Sequence, residues 1–189
     1  MGEDFRFVLK QQTQAHHEDV DRAMSELDLA VAADYARFLQ INLLGFRAMR
    51  AAVPAESAAA LSLAAMIRQA TADLAVLGRA DPGLPLPVLA PVHPLAAEYV
   101  IEGSRLGSQV LKRLWARSED ANVLQAGAYL TQPRAAEAWR DVCARLSTID
   151  ATSSEAAEII QDSRRIFDCF LEVCQQLNTP ATGEVRAVS

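Results

Sequence analysis

The chain has 189 residues, enough to bury a sizeable core within one domain. Its net charge is −6 with a pI near 5.1, and its basic residues are scattered, so a nucleic-acid partner, which needs a concentrated basic face, is not expected. Cys143, Cys169 and Cys174 form no Cys-x-x-Cys pair and lie on apolar stretches, which reads as reduced core cysteine. The N-terminus is charged from its third residue and no apolar run approaches bilayer length, so a cytoplasmic protein without a membrane partner is expected.

Alanine and leucine abound, aromatics are sparse and no stretch alternates with period two, so the predicted class is all-α. The first helix is predicted from Asp4 to about Leu27. Leu9, Thr13, Val20, Met24 and Leu27 share one face, with Lys10, Glu18, Asp19 and Arg22 opposite. His16 and His17 flank the centre of the apolar face, roughly 50° to either side, so periodicity does not choose between them. A second helix, Ala33 to Ala52, is apolar on more than one side through Phe38, Leu39, Ile41, Leu43, Leu44 and Phe46, and so is central. A third spans Glu56 to Leu77, with Leu61, Met66, Ile67, Ala70, Leu74 and Leu77 on its buried side. Five prolines, from Pro82 to Pro94, leave only a loop packed over the surface.

Pro94 suits the first turn of a helix reaching about Arg117. Its middle reads Tyr-Val-Ile-Glu-Gly-Ser-Arg-Leu-Gly-Ser over residues 99–108. Each glycine inside a helix costs about 0.5–1 kcal/mol against alanine, so Gly103 and Gly107 need a reason. With Ser104 and Ser108 they form one narrow face of little side-chain volume, against which something should lie close. Another helix crossing there is the ordinary explanation; a flat ligand resting on bare backbone is the other. After a polar break at Ser118–Asn122 comes a short segment, then a helix opened by Pro133 and running through Leu146. Thr152-Ser-Ser-Glu155 is a capping box for the last long helix, with Ile159, Ser163, Phe167, Phe170 and Cys174 inward, and after Asn178 a frayed tail over 179–189.

Phosphate loops, nucleophile elbows, His-Glu-x-x-His and paired Glu-x-x-His patterns are all missing, and the only histidines are His16, His17 and His93. What remains is a histidine pair on an amphipathic helix and a bare helical face. Neutral imidazole is a common axial ligand for haem iron.

Leu9-Lys-x-x-Thr13-x-x-x-His17-x-x-x-Asp21 resembles the N-terminal signature of haem oxygenases, and Tyr99-Val-Ile-Glu-Gly-Ser-Arg-Leu-Gly107 resembles their distal-helix signature in its bacterial form. Asp34-Tyr-Ala-Arg-Phe-Leu39, Trp139 and Phe167 also fall where that family places them. The resemblance covers nearly the whole chain. It implies a single-domain helical bundle over residues 1–178 that cleaves haem, both substrate and prosthetic group, to biliverdin, iron and carbon monoxide. The implied partners are O2, an electron donor of the ferredoxin or reductase kind, and a biliverdin-binding phytochrome like those that some bacterial relatives serve.

The resemblance further implies His17 as the iron ligand, with His16 its neighbour at the pocket edge. Gly103, Ser104 and Gly107 become the catalytic wall over the haem, and Lys10, Thr13, Ser108, Arg140 and Phe167 become haem-binding residues. Arg105 is a weaker candidate for the propionates, and Arg145 reads as an ordinary solvated charge. Ser104 stands where the animal enzymes carry aspartate, and Glu98 where the family usually has an apolar residue. Two other classes of function fit the same residues: a non-catalytic haem carrier or sensor on this fold, and a helical interaction module that binds no haem.

Overall fold

A computed structural model describes residues 4–132 and 136–178. Among these the chain forms seven helices and no strand: α1 (Phe5–Ser25), α2 (Ala32–Ala52), α3 (Ala58–Val76), α4 (Pro94–Trp115), α5 (Ala121–Gln125), α6 (Ala136–Leu146) and α7 (Ser154–Asn178). The expected opening of α6 at Pro133 and the frayed tail lie outside the described residues.

Local chemistry sets the helix ends. Asp4 caps α1 by accepting the Arg6 N–H at 3.0 Å, and the Ser147 hydroxyl donates to the same carboxylate at 3.0 Å, tying the end of α6 to the start of α1. Ser57 caps α3 through the Ala60 N–H, and Asp120 caps α5 through the Asn122 N–H. His93 caps α4, its Nδ1 accepting the Leu95 N–H at 3.2 Å ahead of Pro94. At α7 the expected cap moves by one residue. Ser153 accepts the Ala156 N–H at 3.1 Å, whereas Thr152 turns back onto Asp150. Gly78, at φ +63°, closes α3 in the left-handed region that a side chain resists.

The central helix is α2, buried around most of its circumference. It packs on α3 and crosses α7, while α4 is held by α3, α6 and α7, and α1 lies along α7. The α2–α7 crossing is very close: a Cβ on Gly45 would come within 2.4 Å of the Phe170 ring. On α3 the buried side is Ala59, Leu63, Met66, Ala70 and Leu74; Leu61, expected inward, is 69 % exposed. At 100° per residue Leu61 lies almost opposite Leu63, Ala70 and Leu74, so its apolar character misleads. Helix α3 is also, by length and composition, apolar enough to cross a bilayer, with a mean hydropathy of 1.2. This corrects the expectation that no segment is; alanine raises hydropathy without supplying bulk.

The remaining stretch after Gly78 carries no regular structure through Val92, as its prolines require. It is fastened by the Val92 N–H on the Ala52 carbonyl at 3.0 Å and by an Arg47–Asp81 ion pair. Cys143, Cys169 and Cys174 are free and buried.

The apolar interior forms two clusters. One is centred on α1, α2, α4 and α7, the other on α2, the end of α3, Trp115 and the segment after α5. Met24, Leu27 and Tyr129 pack against both, and all three line the cavity that opens where the clusters part.

Candidate functional site

That cavity measures about 690 Å³ and is bounded by α1, α2, α3, α4 and α7 together with residues 129–132. Its floor is apolar, made by Phe38, Phe46, Met49, Met66, Phe167 and Phe170. Apolar lining with a few placed polar groups is the usual character of a small-molecule site.

Helix α1 presents its two histidines differently. His17 lines the cavity, with its ring edge-on to Phe167 at 5.4 Å between centroids. Its Nδ1 lies 3.3 Å from Asp21 Oδ2, one helical turn on. A carboxylate at Nδ1 favours the tautomer whose Nε2 lone pair is free to bind a metal. His16 instead turns to α7, its Nδ1 2.6 Å from Asp168 Oδ1. The ambiguity left by helical periodicity is thus resolved by partners: the cleft receives one imidazole and the α1–α7 seam the other.

Across the cleft stands α4. Gly103, Ser104, Gly107 and Ser108 all line it. A Cβ on Gly103 would sit 3.6 Å from the Trp139 ring, an ordinary contact, and a Cβ on Gly107 would meet nothing within 4 Å. Among the described residues no helix therefore crosses against Gly107, and neither glycine has a positive φ to account for it. Ser104 donates to the Ile101 carbonyl at 2.8 Å and Ser108 to the Arg105 carbonyl at 2.7 Å. Their hydroxyl protons are thereby held by their own helix, leaving oxygen lone pairs toward the cavity.

The half of α4 before Gly103 is anchored by charge. Glu98 is only 8 % exposed and accepts from Arg145 of α6 at 2.6 Å. Arg145 is therefore an ion-pair partner rather than a merely solvated charge, and the buried Glu98 has its counter-charge. Glu102 is also buried, 3.3 Å from Arg105, and burial raises its carboxyl pKa while the guanidinium opposes that shift.

Three of the expected haem-binding residues lie away from this cavity. Lys10 lines a smaller one of about 190 Å³, with Arg6, Phe7, Tyr99, Trp139 and Cys143. Thr13 is buried behind it, donating to the Leu9 carbonyl at 2.8 Å with its hydroxyl 3.4 Å from that of Tyr99. Arg140 points to solvent 3.9 Å from Glu137. Of the cationic side chains discussed, Arg105 is the one on the main cavity wall.

Sequence reasoning missed the inner wall. Tyr129 lines the cavity beside Asn42, and its hydroxyl donates to Asn42 Oδ1 at 3.3 Å. Asn42 is the one amide among the buried residues of α2, a signal that could have been read; Tyr129, on a short irregular segment, carries none. Among the described residues no cluster of three or more His, Cys, Asp or Glu side chains could hold a metal ion. No family model matches the chain, and no curated protein matches it either.

Proposed function

We propose that the protein is a haem oxygenase of the bacterial type, cleaving haem to biliverdin, iron and carbon monoxide with O2 and electrons from a ferredoxin or reductase. The observation that carries this reading is one cleft with His17 on one wall and the uncovered backbone of Gly107 on the other. The donor set suits the group: a single imidazole with its Nδ1 directed to Asp21, an aromatic floor at Phe167, and a facing wall without side-chain bulk. When bound, haem supplies both the oxygen-activating iron and the meso carbon that is oxidised.

The chain's own tasks are positional. His17 Nε2 would hold the group, Asp21 would fix the imidazole tautomer, and Gly103 and Gly107 would leave space beside the bound group for a small molecule. Arg105, on the cavity wall, would be the cation available to an acidic substituent. Biliverdin released from the cleft would be available to a phytochrome.

A second reading, a haem carrier or sensor without turnover, draws on the Ser104 and Ser108 hydroxyls being spent on their own helix. Titration of the purified protein with hemin, beside His17→Ala, tests both. Turnover predicts a sharp Soret band at one equivalent, disturbed in His17→Ala, that bleaches to a broad red-absorbing biliverdin spectrum with reductant and air. A Soret band that persists under those conditions leaves the carrier, and no saturable binding removes haem altogether.

A further inference from the structure

Among the described residues the cavity lining holds one O–H donor that also titrates, Tyr129, the other titratable lining groups being His17, Asp21 and Arg105. Its hydrogen bond to Asn42 is long at 3.3 Å, against about 2.7–2.8 Å for a strong O–H···O bond, and is correspondingly easy to exchange. One Asn42 amide N–H is given to the Phe38 carbonyl at 2.8 Å, and it is the amide oxygen that Asn42 turns to Tyr129, as an acceptor.

Considerable structure is devoted to holding this tyrosine. Asp73 of α3, 1 % exposed, accepts the backbone N–H groups of Ala128 and Tyr129, each at 2.8 Å. Tyr35 of α2 donates to the Ala126 carbonyl at 2.7 Å and lies 3.5 Å from the same carboxylate. Burying a carboxylate is costly, and burial raises the Asp73 pKa although all three donors oppose it. The Tyr129 ring is further flanked by Phe38 and Phe46, each 6.0 Å away between centroids. A short segment outside the regular helices is thus fixed at both backbone and ring, with Tyr129 in the cavity wall.

We propose that Tyr129 is the exchangeable hydrogen-bond donor of the inner wall: when a ligand fills the cleft, its hydroxyl leaves Asn42 and donates to a small polar species, or to an ordered water, held above the ring. This rests on the haem reading. It supplies from α2 and the α5–α6 segment the donor that the small-residue face of α4 lacks.

Fluoride, which only accepts hydrogen bonds, is the probe. The ferric haem complex of the full chain is titrated with fluoride by absorbance, for the wild type, Tyr129→Phe and Asn42→Leu. Tyr129→Phe is expected to bind hemin as the wild type does while its fluoride affinity falls about threefold to tenfold, the value of one neutral hydrogen bond. Asn42→Leu removes the competing acceptor, frees the Tyr129 proton and raises fluoride affinity. The opposite signs separate donation from general damage to the cavity wall, and Asn42→Leu carries the test alone if Tyr129→Phe does not fold. Unchanged fluoride affinity in Tyr129→Phe, or an unchanged or weakened one in Asn42→Leu, overturns the assignment. Failure of the wild type to bind hemin, seen before fluoride is added, overturns the haem reading and this inference together.

Discussion

Two helices carry glycine in their middle, and the contrast separates packing from opening. In α2, Gly45 lies so close to Phe170 of α7 that a methyl group would overlap the ring at 2.4 Å. In α4, Gly107 faces a space where a methyl would touch nothing within 4 Å. Both pay the same propensity cost, about 0.5–1 kcal/mol. The first cost is recovered at once by the close crossing, whereas the second is recovered by nothing within the described chain. A cost without an internal return is what a ligand site looks like in an otherwise well-packed bundle.

Gly45→Ala gives the largest effect by which the contrast can be broken. Overpacking against Phe170 should destabilise the fold by about 2–3 kcal/mol, measured from urea unfolding midpoints. Adding Phe170→Leu should recover part of that loss, because the two sites are in contact and couple. If Gly45→Ala is neutral, the crossing is looser than described and the contrast fails.

Arg145→Ala sharpens the division inside α4. It leaves the Glu98 carboxylate buried without its partner and should cost about 1–2 kcal/mol, less than a fully buried pair would because Arg145 is itself partly exposed. The loss should appear in stability and leave hemin binding little changed, since neither residue lines the main cavity. Gly107→Ala is the smallest and most telling change. In the free protein it should stabilise by about 0.5–1 kcal/mol, the reverse of Gly45→Ala. In the same protein hemin affinity should fall about tenfold or more, since the methyl enters the ligand's space. A stabilised Gly107→Ala with unaltered hemin affinity would leave the glycine without a ligand role.

Much of the helical frame was legible in the sequence because it follows from short-range rules. The limits of α2, Pro94 at the start of α4, the inward set of α7 and the irregular proline-rich stretch all depend on residues a few places apart. The errors were of another kind. Leu61 is apolar by type but faces outward by phase, and the α7 cap chose Ser153 over Thr152 because Asp150 captures the Thr152 hydroxyl.

The site divides in the same way. That one imidazole belongs to a site could be suspected from α1, but the fate of His16 depends on Asp168, 152 positions away. The bare face of α4 was plain from its glycines, although whether a helix covered it was not. Glu98 made no sense until Arg145 arrived from α6. Tyr129 and Asp73 are joined only by tertiary contacts, which periodicity does not encode.

The three buried thiols give the molecule an internal clock for its own opening. Burial and the nearby Glu172 carboxylate push the Cys169 thiol pKa up to about 12, and burial also raises that of Cys174. Both are therefore held as unreactive thiols inside α7. An alkylating reagent reaches them when α7 leaves the bundle, so their labelling rate reads the population of that open form when closing outpaces cleavage-like capture. Cys143, at the wall of the smaller cavity, can be reached by a lesser movement of α6. One chain thus reports two depths of unfolding without any added probe.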